Sequence, residues 1–365
     1  MSAAAKLRVA YFVTPHGYGH AARAAAVMSA LYDLEPRLSF DIFTRVEEWF
    51  FREALKAPFR YHDLDSDVGV VQTTPLEEDL NATLGRLRSF LPFNAALLAD
   101  LAGNLRRDNC RAVLCDIAPL GIAAADEAGL PSVLIENFTW DWIYSGYLQE
   151  RPEFAPAIAY LSDMYRRANL HIQTEPACLP GNVDLIAPPV SRKPRKSRQA
   201  IRDELRLPQD ARIVLITMGG VQGQFPFLER LPGDPGCYFV IPGASERMER
   251  RANLILLPHH SRFYHPDLVA ASDLVVGKIG YSTLAETYHA GVPFAYVSRA
   301  RFREAPVLAS FVEEHMPGGS IAPAEFESGA WGKRLHEFFV TSKVERHDPN
   351  GAEVIARFLL ERLPV

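Results

Sequence analysis

The sequence predicts an α/β protein of two Rossmann-like, doubly wound parallel-sheet domains facing a cleft. Three observations carry this expectation. The chain has 365 residues, more than one hydrophobic core ordinarily serves, since single cores stop growing near ~250–300 residues. Short apolar, β-rich runs alternate with segments of helical period, the pattern that buried parallel strands crossed by helices produce. The alternation stops at a proline-rich, basic stretch and then restarts. Hydrophobic residues make up 48% of the chain and charged residues 23%, the balance of an ordinary globular protein rather than a disordered or membrane-embedded one.

In the first half the strands are Leu7–Val13, Phe40–Phe43, Ala112–Cys115, Ser132–Ile135 and Leu170–Ile172, with helical segments such as His20–Leu34 and Ala118–Ala128 between them. The long connection 65–107 is expected to hold a helix around Leu76–Arg107, and insertions of this kind often carry specificity. Pro188, Pro189 and Pro194 prevent a helix across Ala187–Arg198 and lack the N–H of a central strand, so this stretch is the linker. Beyond it the strands are Ile213–Thr217, Tyr238–Ile241, Leu254–Leu257, Leu274–Val276 and Phe294–Val297. The domain boundaries therefore read 1–187, a linker over 188–198, and 199–365, with a final helix over Gly351–Leu363 that belongs to the second domain or packs back on the first.

The formal net charge of −5 gives no global attraction to nucleic acid. Arg192, Lys193, Arg195, Lys196, Arg198 and Arg202 form a local basic cluster, read as a solvated linker, with an anionic lipid surface or diphosphate oxygens as the other partners it could meet. Cys110, Cys115, Cys178 and Cys237 have neither C-x-x-C spacing nor the density of a secreted disulfide scaffold, which fits a reducing, cytoplasmic compartment. No signal-peptide core precedes the first strand, and no apolar run approaches the ~18 residues of a membrane span.

Strand Leu7–Val13 ends in Thr14-Pro15-His16-Gly17-Tyr18-Gly19-His20 and an alanine-rich helix. Glycines at such a place allow a tight turn and close ligand approach, and the helix start offers unpaired N–H groups. The loop lacks the G-x-G-x-x-G pattern of a nicotinamide-dinucleotide site. His20 and Asp116, the latter following strand Ala112–Cys115, should reach the same mouth of the sheet, where a carboxylate-oriented histidine makes a suitable general base; a helix-capping histidine and an N-cap aspartate are the structural alternative. His16 and His20 lack a third ligand for a metal.

The second half repeats the device in Met218-Gly219-Gly220-Val221-Gln222-Gly223, whose amides could hold a diphosphate. The stretch Lys278-Ile279-Gly280-Tyr281-Ser282-Thr283-Leu284-Ala285-Glu286 follows another strand. Ser282 or Thr283 is expected to cap the next helix and place its N-terminus against a phosphate, and Glu286 can accept hydrogen bonds from both ribose hydroxyls or close a capping box opposite Thr283. Arg303 could meet a phosphate and Glu304 sugar hydroxyls. Asp63-Leu64-Asp65-Ser66-Asp67 holds D-x-D twice, but reads as a polar loop rather than a metal site. His259, His260 and His265 read as loop or cleft residues.

Together these loops resemble the GT-B glycosyltransferases, over both halves of the chain. Gly219–Gly223 resembles the G-G-S-Q-G loop of the transferases that add N-acetylglucosamine to the peptidoglycan lipid precursor, with Val221 in place of serine. Lys278–Glu286 resembles their R-A-G-A-x-T-x-x-E donor motif, with Lys278 in place of arginine. The resemblance implies that Gly219, Gly220, Gln222, Gly223, Lys278, Gly280, Tyr281, Ser282, Thr283, Glu286, Arg303 and Glu304 bind the donor, a nucleotide-diphosphate sugar of the UDP type, with no cofactor or metal required. It also implies that His20 deprotonates an acceptor hydroxyl with Asp116 in support. His16, Gly17, Tyr18, Gly19, Asn137 and Trp140 are placed on the acceptor side. The stretch Asn137-Phe138-Thr139-Trp140-Asp141-Trp142-Ile143-Tyr144, with the HGYGH loop, resembles the transferase-like N-terminal region of L-arabinokinases; no sugar-kinase domain follows within these residues, so kinase activity is not carried over. Retaining relatives have a second glutamate where this chain has Lys278, which implies an inverting reaction. A UDP-sugar 2-epimerase and a noncatalytic nucleotide-sugar binder are the rival readings on the same fold.

Overall fold

The computed structural model describes residues 7–74, 77–219, 225, 227–231, 236–299, 301–340 and 343–364. The chain forms two compact units, one of Met1–Gln72, Glu78–Ser191 and Pro349–Val365, the other of Thr73–Glu77 and Arg192–Asp348.

In the first unit β1 (Leu7–Val13), β2 (Leu38–Thr44), β3 (Phe59–Asp63), β4 (Cys110–Asp116), β5 (Ser132–Glu136), β6 (Leu170–Thr174) and β7 (Leu185–Ala187) form one sheet, ordered β3-β2-β1-β4-β5-β6-β7 and parallel throughout. The second unit repeats the plan with β8 (Arg212–Thr217), β9 (Cys237–Pro242), β10 (Glu249–Arg251), β11 (Leu254–Leu257), β12 (Leu274–Lys278), β13 (Phe294–Val297) and β14 (Gly318–Ser320), ordered β10-β11-β9-β8-β12-β13-β14. Within this sheet the edge pair β10–β11 is antiparallel and the other described pairs are parallel. In both sheets the first strand lies inside, with its successor on one side and a later strand on the other. The connections then leave in opposite directions, opening a crevice at the carboxyl ends of β1 and β4, and of β8 and β12, where ligands of doubly wound sheets bind.

The helix after β1, α1 (Tyr18–Leu34), is buried without interruption from His20 to Met28. A helix apolar on all sides is an interior one: α1 touches β1 and β2 and also packs against the last helix of the chain, Gly351–Arg362. That last helix is started by Asn350, whose Oδ1 accepts from Ala352 N at 2.9 Å while Nδ2 donates to the Ser191 carbonyl at 2.9 Å. The expected single helix of the long insertion is two, Leu80–Phe90 and Ala95–Arg107. Pro92 lies between them and cannot donate a helical hydrogen bond, and the Asn94 side chain caps the second. The second core gathers around Trp331, Phe227, Phe239 and Phe326.

The basic cluster at 192–202 is solvated only in part: Lys193, Arg195 and Lys196 are exposed as expected of a linker, but the other members are not. Arg192 and Arg202 are buried; Arg202 Nη2 donates to the carbonyls of Pro208, Gln209 and Ala211 at 2.5–2.8 Å, and Arg198 forks onto Asp273 at 2.8 and 2.9 Å. Buried guanidinium groups need such partners, because an unpaired buried charge is costly.

Where β8 and β12 approach, Thr217 pairs with Gly277. A Cβ built on Gly277 would lie 1.8 Å from the Thr217 carbonyl oxygen, so Gly277→Ala must pry apart the two strand ends that frame the second crevice. Overpacking of this kind costs about 1–3 kcal/mol, and the variant should unfold at lower temperature in a calorimetric scan; an unchanged transition would refute the close approach.

Candidate active site

At the carboxyl end of β1 the chain turns through Gly17, whose φ of 74° is readily reached only by glycine, and enters α1 one residue later. His20 and Arg23 are thereby placed one turn apart on the α1 face above the β1–β4 crevice. Asp116, the last residue of β4, meets both. His20 Nδ1 lies 2.9 Å from Asp116 Oδ1, and Arg23 forks onto the same carboxylate through Nε to Oδ2 and Nη2 to Oδ1, each at 2.7 Å. Arg23 Nη1 continues to Asn137 Oδ1 at 2.6 Å and to Thr174 Oγ1 at 3.4 Å. Arg23 is 1% exposed and Asp116 0%. Burial pushes the Asp116 carboxyl up, but the Arg23 charge and hydrogen bonds, helped by His20, outweigh it and hold the group below the usual carboxylate range. An ionised carboxylate only accepts hydrogen bonds, so the neutral imidazole carries its proton on Nδ1 and leaves Nε2 as its basic nitrogen. His20 and Asp116 thus cap nothing by their side chains: α1 has no side-chain cap, and the helix after β4, Pro119–Ala128, is preceded by Ala118.

Directly after Asp116, Ile117 has a φ of 42°. A positive φ is a genuine outlier for a β-branched residue, and strain of this kind gathers at functional sites. It is held by backbone contacts: Ile117 N donates to the Ile135 carbonyl at 3.3 Å, and its own carbonyl accepts from Tyr165 Oη at 3.0 Å.

The aromatic stretch clamps a strap, residues 66–70, over the end of β1. Trp140 Nε1 donates to Asp67 Oδ2 at 2.9 Å, and Tyr144 Oη to the Gly69 carbonyl at 2.6 Å. Thr14 Oγ1 donates to Asp67 Oδ1 at 2.7 Å, and Ser66 Oγ to the Val13 carbonyl at 2.6 Å. His16 stands edge-on to Trp140, with ring centroids 5.0 Å apart, and accepts from Val70 N at 3.4 Å. Asp67 is fully buried, and burial pushes its pKa up to about 7 even against the hydrogen bonds from Thr14 and Trp140.

In the second unit, Gly219 and Lys278 come together: a Cβ built on Gly219 would lie 3.7 Å from Lys278 Cε and 3.9 Å from Nζ. The helix after β12 is Tyr281–Ala290, with Gly280 as its N-cap and no side-chain cap. Among the described residues a Cβ on Gly280 would meet no atom within 4 Å. Glu286, 4% exposed, receives Arg192 Nε on Oε1 at 2.9 Å and faces His265 Nδ1 through Oε2 at 2.8 Å. His265 Nε2 lies 3.3 Å from Thr217 Oγ1. Burial pushes the Glu286 carboxyl up, but the Arg192 charge and the His265 hydrogen bond hold it below its ordinary value.

Several expectations change accordingly. Ser282 and Thr283 do not cap the helix, because it already begins at Tyr281 and places both in its first turn. Glu286 closes no capping box; its carboxylate is turned onto Arg192 and His265, and His265 begins a helix and is hydrogen-bonded to Glu286 rather than lying in a loop. Asp67 is a buried acceptor, not part of a polar loop, although Asp63 and Asp65 are exposed to solvent and pair with Arg45. Asn137 and Trp140 are buried with their polar atoms committed to Arg23 and Asp67, so they build the site rather than line its surface. Tyr18 is turned away to Glu47, at 2.8 Å, and Gly19 lies inside α1. Glu304 is buried 3.9 Å from Arg299, whereas Arg303 is exposed. Gly220, Gln222 and Gly223 lie outside the described residues. Arg23 was missed by sequence reasoning; a lone arginine amid the alanines of a wholly apolar helix, three residues after His20, is the signal that could have found it.

Solved structures share this architecture. The chain aligns with the glycotransferase of kitacinnamycin (18% identity, 98% of this chain and 100% of that chain, TM-score 0.62) and with CalG4, the calicheamicin glycosyltransferase (16%, 97% and 94%, 0.62). It aligns similarly with MurG of Acinetobacter baumannii (15%, 97% and 99%, 0.56). At such identities the likeness is one of fold, and the fold is the two-Rossmann GT-B fold of glycosyltransferases. In sequence, 99% of the chain is 30% identical to the L-arabinokinase of Arabidopsis thaliana, a relative of which it spans 35%, about a third of the length. No protein-family model matches. Among the described residues no helix is long and apolar enough to cross a membrane.

Asp67 makes stability depend on pH with a definite sign. The folded protein keeps its proton up to about pH 7, while an unfolded chain releases it near the ordinary 3.8. The folded state therefore binds more protons between these values, and this group's contribution to stability falls as pH rises through that window. Asp67→Asn, which stays neutral and can still satisfy Thr14 and Trp140, should raise the melting temperature at pH 8 and raise it much less at pH 5. A variant equally displaced at both pH values would contradict this assignment.

Proposed function

We propose that the chain is an inverting glycosyltransferase that moves a sugar from a nucleotide-diphosphate sugar, of the UDP type, to an acceptor hydroxyl. The observation that carries the reading is the His20–Asp116 pair at the β1–β4 crevice, a histidine whose Nδ1 is held by a carboxylate and whose Nε2 is left to act as the base. In this mechanism the acceptor hydroxyl gives its proton to His20 Nε2 as its oxygen bonds to the anomeric carbon. The bond from that carbon to the diphosphate breaks on the opposite face, so the configuration inverts. The electron pair leaves with the diphosphate, whose charge is met by Lys278 and by the N–H groups at the start of Tyr281–Ala290. A ribose hydroxyl reaches Glu286 by replacing one of its contacts to Arg192 or His265.

Asp116 orients His20 but also neutralises Arg23, and the two roles separate in experiment. His20→Ala should lower turnover by ~10²–10⁴-fold, the usual contribution of a general base, and leave UDP affinity unchanged in calorimetry with chelator present. Asp116→Asn should lower turnover and also destabilise the fold by about 3–5 kcal/mol, because it strands a buried arginine. Incubation with UDP-sugars distinguishes transfer, which needs an acceptor, from epimerisation, which does not, and from binding alone. Full turnover in His20→Ala would overturn the mechanism.

A further inference from the structure

Beside the His16 turn the first unit carries two adjoining cavities. One, of about 350 Å³, is lined by His16, Gly17, Arg45, Asp65, Gln72 and Arg86 together with short apolar side chains. The other, of about 310 Å³, shares Asp65, Val68 and Arg86 with it and adds Asp67 and Ser89. Each lies at the small end of the range typical of ligand pockets, ~300–1,000 Å³, but such pockets are ordinarily lined by hydrophobic and aromatic side chains. Here guanidinium, carboxylate, amide and hydroxyl groups share the walls with Pro15 and three valines, and Phe90 is the one phenyl ring among the lining residues.

The charges leave hydrogen-bonding capacity facing the space. Arg45 is held by Asp63 at 3.0 Å and by Asp65 at 3.4 Å. Arg86 reaches Asp65 only at 3.9 Å, beyond hydrogen-bond distance, so among the described residues its fork of N–H donors keeps its capacity. Asp65 in turn has carboxylate lone pairs beyond those two arginines. A forked donor beside a forked acceptor matches adjacent hydroxyls on a ring, each of which both donates and accepts. An apolar ligand would leave these groups desolvated and unpaired, at a cost larger than the apolar contact returns.

We propose that these cavities form the acceptor pocket and take a polyhydroxylated acceptor, a saccharide or saccharide derivative, through Arg86 and Asp65. Calling this ligand an acceptor rests on the transfer reading above; the saccharide site itself does not. The test is saturation-transfer NMR and calorimetry on the full chain with pentoses, hexoses and their disaccharides, set against naringenin and para-nitrophenol as apolar probes, with UDP titrated in parallel. Saccharides should bind, and Arg86→Leu and Asp65→Asn should each weaken them by about tenfold to a hundredfold, the worth of a charge-assisted hydrogen bond, without changing the UDP titration. Both side chains are half exposed, so both variants should fold, which circular dichroism checks. Silence from every saccharide, binding of apolar probes alone, or saccharide affinity untouched in both variants would overturn the proposal while UDP binding stood. Saccharide binding lost in the variants, with no UDP binding to the wild type, would keep the pocket and remove the transfer reading.

Discussion

The buried ion pair between Arg23 and Asp116 is the interaction on which the first site depends. Two charges taken out of water are tolerable only when the geometry is good and the remaining donors and acceptors are satisfied. The forked contact meets the first condition, and His20, Asn137 and Thr174 meet the second. Because these partners come from α1, the end of β4, the loop after β5 and the end of β6, one electrostatic requirement locks four elements in register. The positive φ of Ile117 belongs to the same constraint, since it is the backbone turn taken immediately after Asp116.

The second unit uses a buried carboxylate differently. Glu286 points back from the interior of its helix to Arg192, at the start of the unit's main segment, and to His265 on the neighbouring helix. It ties the approach segment to the helix start that faces the β8–β12 crevice. In the first unit the carboxylate holds a histidine and an arginine of one helix, whereas here it holds an arginine and a histidine from two separate segments. The parallel is one of topology, because each unit puts its central carboxylate beside the strand pair at which the sheet reverses direction.

Around the first site the aromatic stretch provides the rigidity. Trp140 and Tyr144 stack on each other, with centroids 5.9 Å apart, and each spends its polar atom on the 66–70 strap. His16 is thus wedged between that strap and Trp140, and the polar cavities open alongside it. Burial of Asp67 follows from the same packing and is the reason its carboxyl titrates near neutrality rather than near pH 4.

Most of the architecture was legible in the sequence because interior parallel strands are buried on both faces and must be apolar; β1, β4, β5, β8, β12 and β13 announce themselves in this way. The strands that escaped, β3, β7, β10 and β14, are the four edges of the two sheets. Their sequences, such as Phe59-Arg60-Tyr61-His62-Asp63 and Gly318-Gly319-Ser320, carry no interior signature because an edge is defined by hydrogen bonding to one neighbour. His20 and Asp116 could be named because a residue just past an interior strand has only the mouth of the sheet to occupy. Spacing along the chain could not place Arg23 on Asp116, nor Arg192 and His265 on Glu286. Nor could it bring Asp67 beneath Thr14 and Trp140. These contacts join residues 21 to 94 positions apart, and what selects them is the cost of leaving a buried charge without a partner, which exists only once tertiary packing has excluded water.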